Sequence, residues 1–362
     1  MKKRMACLVL LTALLLLAGC AKAASKEGVW VAHGYLRDQC IAEIDGVRYA
    51  FIGSEENPEQ RVYLAQLDQN GEKKRLVCSK EGCAHEQQGR LADPCHAYSA
   101  VTGGLMAADG KLYAGSHNGE MGVVEFDPEG GPPRTVLTAP QRISCFLVQD
   151  GWIYYAQQDQ TFAEPALRAP ENGYRMLRRR LNDDGAEPET VYERGGVVGY
   201  IACAQCIGDK LVLTEVYLED EDAQDASMNL LRMNLDGSGG ELLAASAGGH
   251  FAAQVESGLA ITRKNEDGSW TAELLDTAGA KKAELDRSQN RMMVCGQMNT
   301  VLVDSGAQLA PRTLRVYSAA GEKLGECALE KQYSPLLGMD ERYAYYWDGG
   351  KLISVDWKKL IP

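Results

Sequence analysis

Asp109-Gly110-Lys111-Leu112-Tyr113, followed by Val123-Val124-Glu125-Phe126-Asp127-Pro128-Glu129-Gly130, is the unit from which the rest of the chain can be read. The first piece is an Asp-Gly turn opening a β-rich run, and the second is a β-rich run closing on an Asp/Gly turn. Such turns between alternating runs are the strongest short-range hairpin signal, because few other residues accept the left-handed backbone a tight hairpin needs. The first piece recurs as Asp45-Gly46-Val47-Arg48-Tyr49-Ala50-Phe51, Asp150-Gly151-Trp152-Ile153-Tyr154-Tyr155 and Gly208-Asp209-Lys210-Leu211-Val212-Leu213, with weaker copies near Ser257, Asn299 and Asp340. The second recurs as Val62-Tyr63-Leu64-Ala65-Gln66-Leu67-Asp68-Gln69-Asn70-Gly71, Arg178-Arg179-Arg180-Leu181-Asn182-Asp183-Asp184-Gly185 and Leu231-Arg232-Met233-Asn234-Leu235-Asp236-Gly237-Ser238-Gly239. Fainter versions lie at 272–279, 314–321 and 352–357. Seven copies with a spacing of about 40 to 50 residues, longer where loops are inserted, each have room for four short strands. They predict an all-β chain folded as one β-propeller of seven four-stranded blades over residues 29–362. The seventh copy ends too soon for an outermost strand. Val29-Trp30-Val31-Ala32 is a spare strand expected to complete that blade, tying the two ends of the chain together and removing exposed sheet edges.

The first nineteen residues are of another kind. Lys2, Lys3 and Arg4 make a positive leader, and an almost unbroken apolar run follows from Leu8 to Leu17. This is the pattern of a signal peptide. The run is far shorter than the about 20 helical residues a membrane span needs. Leu17-Ala18-Gly19-Cys20 resembles the lipobox of bacterial lipoproteins, which implies cleavage before Cys20 and lipid attachment to its sulfur. The expectation is an exported protein held on the outer face of the cell membrane. Two acyl chains make such an anchor stable, since each buried methylene contributes about 0.8 kcal/mol. Residues 20–28 would be a short tether, spanning at most about 3.5 Å per residue.

The formal net charge is −12, and removing the leader makes the chain more acidic still. An acidic surface repels phosphate backbones, so nucleic acid is not an expected partner. Of 11 cysteines, setting aside Cys7 and Cys20 leaves an odd number, which cannot all pair within one chain. Three of these fall in Cys78-x4-Cys83-x-His85-x9-Cys95-His96, the densest group of metal-ligating residue types in the sequence. Cys78, Cys83, His85 and Cys95 offer three sulfurs and one nitrogen, a donor set for tetrahedral zinc, although the spacing is not that of a standard zinc finger. Export favours the other reading, a disulfide between two of the three cysteines stapling a long loop and contributing about 2–4 kcal/mol. Cys203 and Cys206, in a predicted innermost strand, are read as buried packing thiols, as are Cys145 and Cys295.

The repeats resemble the propeller domains of an uncharacterised family of exported lipoproteins from gut-dwelling Gram-positive bacteria, whose propellers are similar to that of the low-density-lipoprotein receptor. The resemblance implies fold and surface location. Members carry a similar Cys-x4-Cys-x-His followed by a further cysteine, which implies a shared local structure here. With the Asp/Gly turns assigned to one face, the opposite face receives the long insertions 157–173 and 218–227, the cysteine cluster, and His33, His85, His96, His117 and His250, all five histidines of the chain. Loops on a rigid scaffold are where binding residues gather, so this face is the candidate binding face. The acidic run Glu219-Asp220-Glu221-Asp222 reads as a solvated loop, and Arg178-Arg179-Arg180 as strand residues split between two faces. No Gly-x-Ser-x-Gly elbow, His-Glu-x-x-His helix or phosphate loop is found. The leading expectation is therefore a binding or protein-interaction module for an unidentified surface ligand or envelope protein. A surface polysaccharide hydrolase or lyase, its site on the histidine-bearing face, is the alternative.

Overall fold

The computed structural model describes residues 41–361 apart from 53–62, 69, 86–94, 99–100, 118–120, 140–142, 159–172, 184, 219–225, 248–250, 256–257, 298, 307–311, 330–335, 337 and 349–350. The leader, Cys20, the tether and the strand expected at 29–32 lie outside the described residues. The remainder is a seven-bladed β-propeller. Six four-stranded antiparallel sheets, spanning 41–76, 101–139, 143–195, 199–247, 251–288 and 292–329, are followed by a seventh at 338–356 with three strands among the described residues. No helix among the described residues is long and apolar enough to cross a membrane.

Two local devices recur among the blades. The first two strands are joined by two-residue turns in which Asp45 and Gly46 (φ 50° and 78°), Asp109 and Gly110 (51° and 71°) and Asp150 and Gly151 (52° and 72°) are all left-handed. Both central residues of a type I′ hairpin must be so. The turns between the third and fourth strands are held by a side chain. Asp68 Oδ1 accepts the backbone N–H groups of Asn70 (2.8 Å) and Glu72 (2.9 Å), and Asp276 Oδ1 does the same for Ala278 and Ala280. Asp127, Asp183 and Asp236 repeat the first of these bonds. The Asp of the repeat is thus a turn clamp.

Burial falls from the axis outward. The second strand of blade 4, Lys210–Tyr217, is buried at all but its first residue, whereas the outermost strand of blade 1, Lys73–Leu76, is almost wholly exposed. A sheet buried on both faces cannot alternate polar and apolar residues, which explains the continuous apolar runs of the inner strands. Each face packs on a neighbouring blade, and each of the seven joints has its own apolar cluster. Leu64, Phe51 and Val77 of blade 1 meet Leu112 and Phe126 of blade 2, for example, and Trp270 and Leu274 of blade 5 meet Val294 and Val301 of blade 6. Cys145 and Cys295 are buried on innermost strands, and Cys203 is buried with Cys206 half-buried on a third, as expected of packing thiols.

The joint that closes the ring, between blades 7 and 1, is the thinnest in apolar terms among the described residues: Ile41, Ala50 and Leu67 against Tyr345 and Tyr343. A buried polar latch reinforces it. Arg48 donates to the Tyr345 hydroxyl and to Asp68 O (3.0 Å), Tyr345 donates in turn to Asp340 Oδ2 (2.5 Å), and the Arg48 and Asp340 charges lie 3.5 Å apart.

One further buried pair ties blade 6 to the crossover that follows it. Arg312 binds both oxygens of Asp304 (3.0 and 2.8 Å), and Leu336 N–H donates to Asp304 Oδ2 at 3.2 Å. Burial pushes the Asp304 carboxyl up to about 6 even though the Arg312 guanidinium pulls it down. Asp304→Ala strands the guanidinium without its counter-charge. Urea unfolding at neutral pH is expected to show a loss of about 3–5 kcal/mol, the usual cost of removing one partner of a buried pair.

Candidate metal centre

The outermost strand of blade 1 is broken in two. Its first half, Lys73–Leu76, pairs with Tyr63–Leu67 in the register Leu67↔Lys73, Gln66↔Arg75 and Ala65↔Leu76. Val77 N–H still donates to Leu64 O (2.9 Å), and there the chain leaves the ladder. Residues 95–98 return to occupy the rest of the edge: Leu64 N–H donates to Ala97 O at 2.8 Å, and Tyr98 bridges antiparallel to Tyr63. Cys78 is thus the first residue out of the break and Cys95 lies at the point of return. Between them the chain reverses through left-handed Gly82 (φ 68°) and left-handed His85 (φ 54°), which folds Cys83 and His85 back over the gap.

The result is a compact donor set. The sulfurs of Cys78, Cys83 and Cys95 and a ring nitrogen of His85 all lie within 4.8 Å of one another, and His85 Nδ1 is 3.4 Å from Cys95 Sγ. A tetrahedral ion bound by sulfur at about 2.3 Å sets its donors about 3.8 Å apart, so the group needs a contraction of only about 1 Å at its widest pair. The three cysteines are thiols in the structure. The Cys78 sulfur accepts backbone N–H groups from Lys80 and His96, and the Cys95 sulfur accepts that of Ala97. Partial burial raises the Cys78 thiol, but these donors and the neighbouring thiols more than offset it, and the net direction is down. Burial instead drives Cys95 up to about 12, with the Cys83 and Cys78 thiols adding to the rise. The environment thus moves the Cys78 and Cys95 thiols in opposite directions, and ligation to a cation would displace the protons of both. Its inner wall is apolar, with Tyr63, Ala97 and the edge-on Tyr98 ring 5.7 Å from that of Tyr63, while Cys83 is half-buried and His85 exposed. The cluster can hold a metal ion.

The cluster packs on Ile52, Tyr63 and Tyr98, at the end of blade 1 from which the connection 53–62 leaves, and this is the end at which the sequence reading placed it. It lies at the outer rim there and also meets the turn 127–131 of blade 2, a contact the sequence did not announce. Ser79 N and Oγ each donate to Gly130 O at 2.8 Å, and His96 Nδ1 lies 2.9 Å from the same oxygen. Two of the five histidines, His85 and His96, therefore belong to the rim. His117 ends Lys111–His117 opposite Met121, at the hairpin end that carries the long connections, while His33 and His250 lie outside the described residues.

A second polar cluster was not foreseen. Glu215, fully buried in blade 4, takes hydrogen bonds from the hydroxyls of Tyr174 and Tyr192 (both 2.7 Å), from Arg194 (2.5 Å) and from Asn229 (2.7 Å). These donors come from strands of blades 3 and 4, which no spacing reveals. The available signal was a lone carboxylate inside the buried run Leu211-Val212-Leu213-Thr214-Glu215-Val216. Both of its oxygens are occupied by the protein's own donors, so it ties the two blades together.

No family model and no curated protein matches the sequence. Solved structures match in fold. An oligogalacturonate lyase in complex with manganese aligns with a TM-score of 0.56 at 11% identity, over 92% of this chain and 93% of that one. A puromycin-hydrolysing peptidase from Mycobacterium tuberculosis aligns with a TM-score of 0.51 at 14% identity, over 90% of this chain and 58% of the peptidase.

Gly130 gives the site a test. It has φ +90°, and a Cβ there would stand 2.8 Å from both Cys78 N and Ser79 N, whereas Gly110 (φ +71°) has open space around it. Gly110→Ala is expected to cost only the left-handed backbone penalty of about 1–2 kcal/mol. Gly130→Ala adds a backbone clash, so it should lower the urea midpoint further and weaken metal uptake, which Gly110→Ala leaves intact.

Proposed function

We propose that this chain is an exported lipoprotein of the propeller-bearing kind, anchored through Cys20, and that its propeller is a binding or protein-interaction module on the outer face of the membrane. The observation that carries the reading is the unequal length of the connections at the two ends of the ring. At one end of blades 1 to 4 the first two strands turn through two residues at 45–46, 109–110, 150–151 and 208–209, and the third and fourth through at most eight; at the other end the second and third strands connect through 53–62, 159–172 and 218–226 in blades 1, 3 and 4, and through the short 118–120 in blade 2. The three longer connections share one end of a rigid ring, where a ligand can meet them.

The buried carboxylates also favour binding over catalysis. Glu215 is enclosed by its tyrosines and Arg194, Glu273 pairs with Arg263 and Lys281, and Asp304 with Arg312, so these three are engaged within the fold. The rim cluster is assigned to zinc as a structural ion. Three sulfurs and an imidazole suit zinc, while manganese, the ion of the lyase neighbour, prefers hard oxygen donors. A surface polysaccharide hydrolase or lyase is the second reading. What favours it is that an oligogalacturonate lyase has the same fold over nearly the whole chain, and that likeness is one of fold alone.

Cys20→Ala is expected to abolish fatty-acid labelling and move the protein from the membrane to the soluble fraction. The wild-type protein, screened against cell-wall and host glycans and envelope proteins, is expected to retain one class without altering it. Appearance of new reducing ends or unsaturated sugars would decide for the enzyme.

A further inference from the structure

We infer that the ion at Cys78, Cys83, His85 and Cys95 is a clasp that makes one strand out of two, and that it pins the outer edge of blade 1 to the turn at Gly130 of blade 2. The inference rests on the zinc reading and states what the ion does.

The break leaves the edge of blade 1 weakly held. Beyond Leu76, the backbone ladder to Tyr63–Leu67 is sparse among the described residues: Val77 N–H on Leu64 O, Leu64 N–H on Ala97 O, and the Tyr63↔Tyr98 bridge, with the side chains of Tyr63, Ala97 and Tyr98 packed beside it. Bringing Cys95 back beside Cys78 carries a loop-closure cost that grows with the number of residues between them. A four-donor ion offsets that cost directly. It joins Cys78 at the exit to Cys95 at the return, with Cys83 and His85 closing the intervening turn, and each thiol that ligates gives its proton to solvent.

The ends of the clasp are also the pieces that dock on blade 2. Val77, 1% exposed, precedes Cys78 directly and packs in the apolar cluster shared by blades 1 and 2. Ser79 follows Cys78 and places two bonds on Gly130 O, and His96 follows Cys95 and meets the same oxygen. The Cys78 and Cys95 sulfurs are held in turn by backbone N–H groups of Lys80, His96 and Ala97. A single ion therefore fixes, through residues adjacent to its ligands, both the ladder at the edge and the contact across the joint. Without it, the outer edge is expected to open locally while every joint stays shut at its inner strands, that of blades 1 and 2 included, because each has its own apolar cluster.

The test uses the lipid-anchored full-length protein in detergent, purified without reductant. Zinc per chain is measured by mass spectrometry, and amide hydrogen exchange is followed as purified, after chelation and after zinc is returned. The expected result is about one zinc per chain. After chelation the amides of Leu64, Val77, Ser79 and Tyr98 should exchange at least about 10-fold faster. Those of Leu213 and Val303, in blades 4 and 6, should not change, and zinc should restore the original rates. His85→Ala, which alters an exposed ligand and spares the core, should reproduce the chelated pattern, while His85→Cys should retain zinc and protection. One zinc per chain with exchange unmoved by its removal overturns the clasp and leaves the zinc reading standing. Absence of zinc, or a disulfide between two of the three cysteines, overturns the zinc reading and the clasp with it.

Discussion

A blade whose two faces are both apolar has no stable existence alone, and this requirement organises the molecule. Every sheet must be covered on each side, the only cover available is another blade, and the arrangement ends only when the last blade meets the first. The seven apolar clusters, one per joint, express that requirement. They are not equal. The closing joint brings few apolar side chains together and adds a buried latch of Arg48, Tyr345 and Asp340. Asp340 also caps the turn ahead of its own strand, accepting the N–H groups of Arg342 (2.6 Å) and Tyr343 (2.5 Å), so the residue that closes the ring is itself held in place.

Polar groups appear in the interior where two blades must be fixed in register. Glu215 and its tyrosines do this between blades 3 and 4, and Asp304 with Arg312 does it between blade 6 and the crossover. Apolar packing is tolerant of small sliding, whereas a carboxylate with donors from two blades accepts one arrangement. The split edge of blade 1 poses the same problem at the surface, where an ion pair would be wet and weak. A set of sulfurs around a cation keeps its strength there, since coordination is less easily displaced by water than an exposed ion pair. On the proposed zinc reading, the cluster is one more structural device of the ring, set at the end of blade 1 from which the connection 53–62 leaves.

What was legible in the sequence was what is local. The left-handed pairs at Asp45-Gly46, Asp109-Gly110 and Asp150-Gly151 and the aspartate clamps at Asp68, Asp127 and Asp236 are set by chemistry within a few residues, so their repetition announced both the strands and the number of blades. The membership of the cluster was legible for the same reason: Cys78, Cys83, His85 and Cys95 lie close together in the chain. Its contact with blade 2 was not. Whether the connection from 77 folds back on its own blade or departs for the next depends on Leu64 and Gly130, far away in sequence, and on the fit of a residue without a side chain against Cys78 N. The donors of Glu215 and the latch of Arg48 were hidden in the same way, because their partners come from different blades.

X-ray absorption at the zinc edge of the purified full-length protein examines the chemistry at the rim of blade 1 most directly. The prediction is one bound zinc with three sulfur neighbours at about 2.3 Å and one nitrogen at about 2.0–2.1 Å. A first shell of oxygen and nitrogen without sulfur, or a protein that carries no zinc, would contradict it.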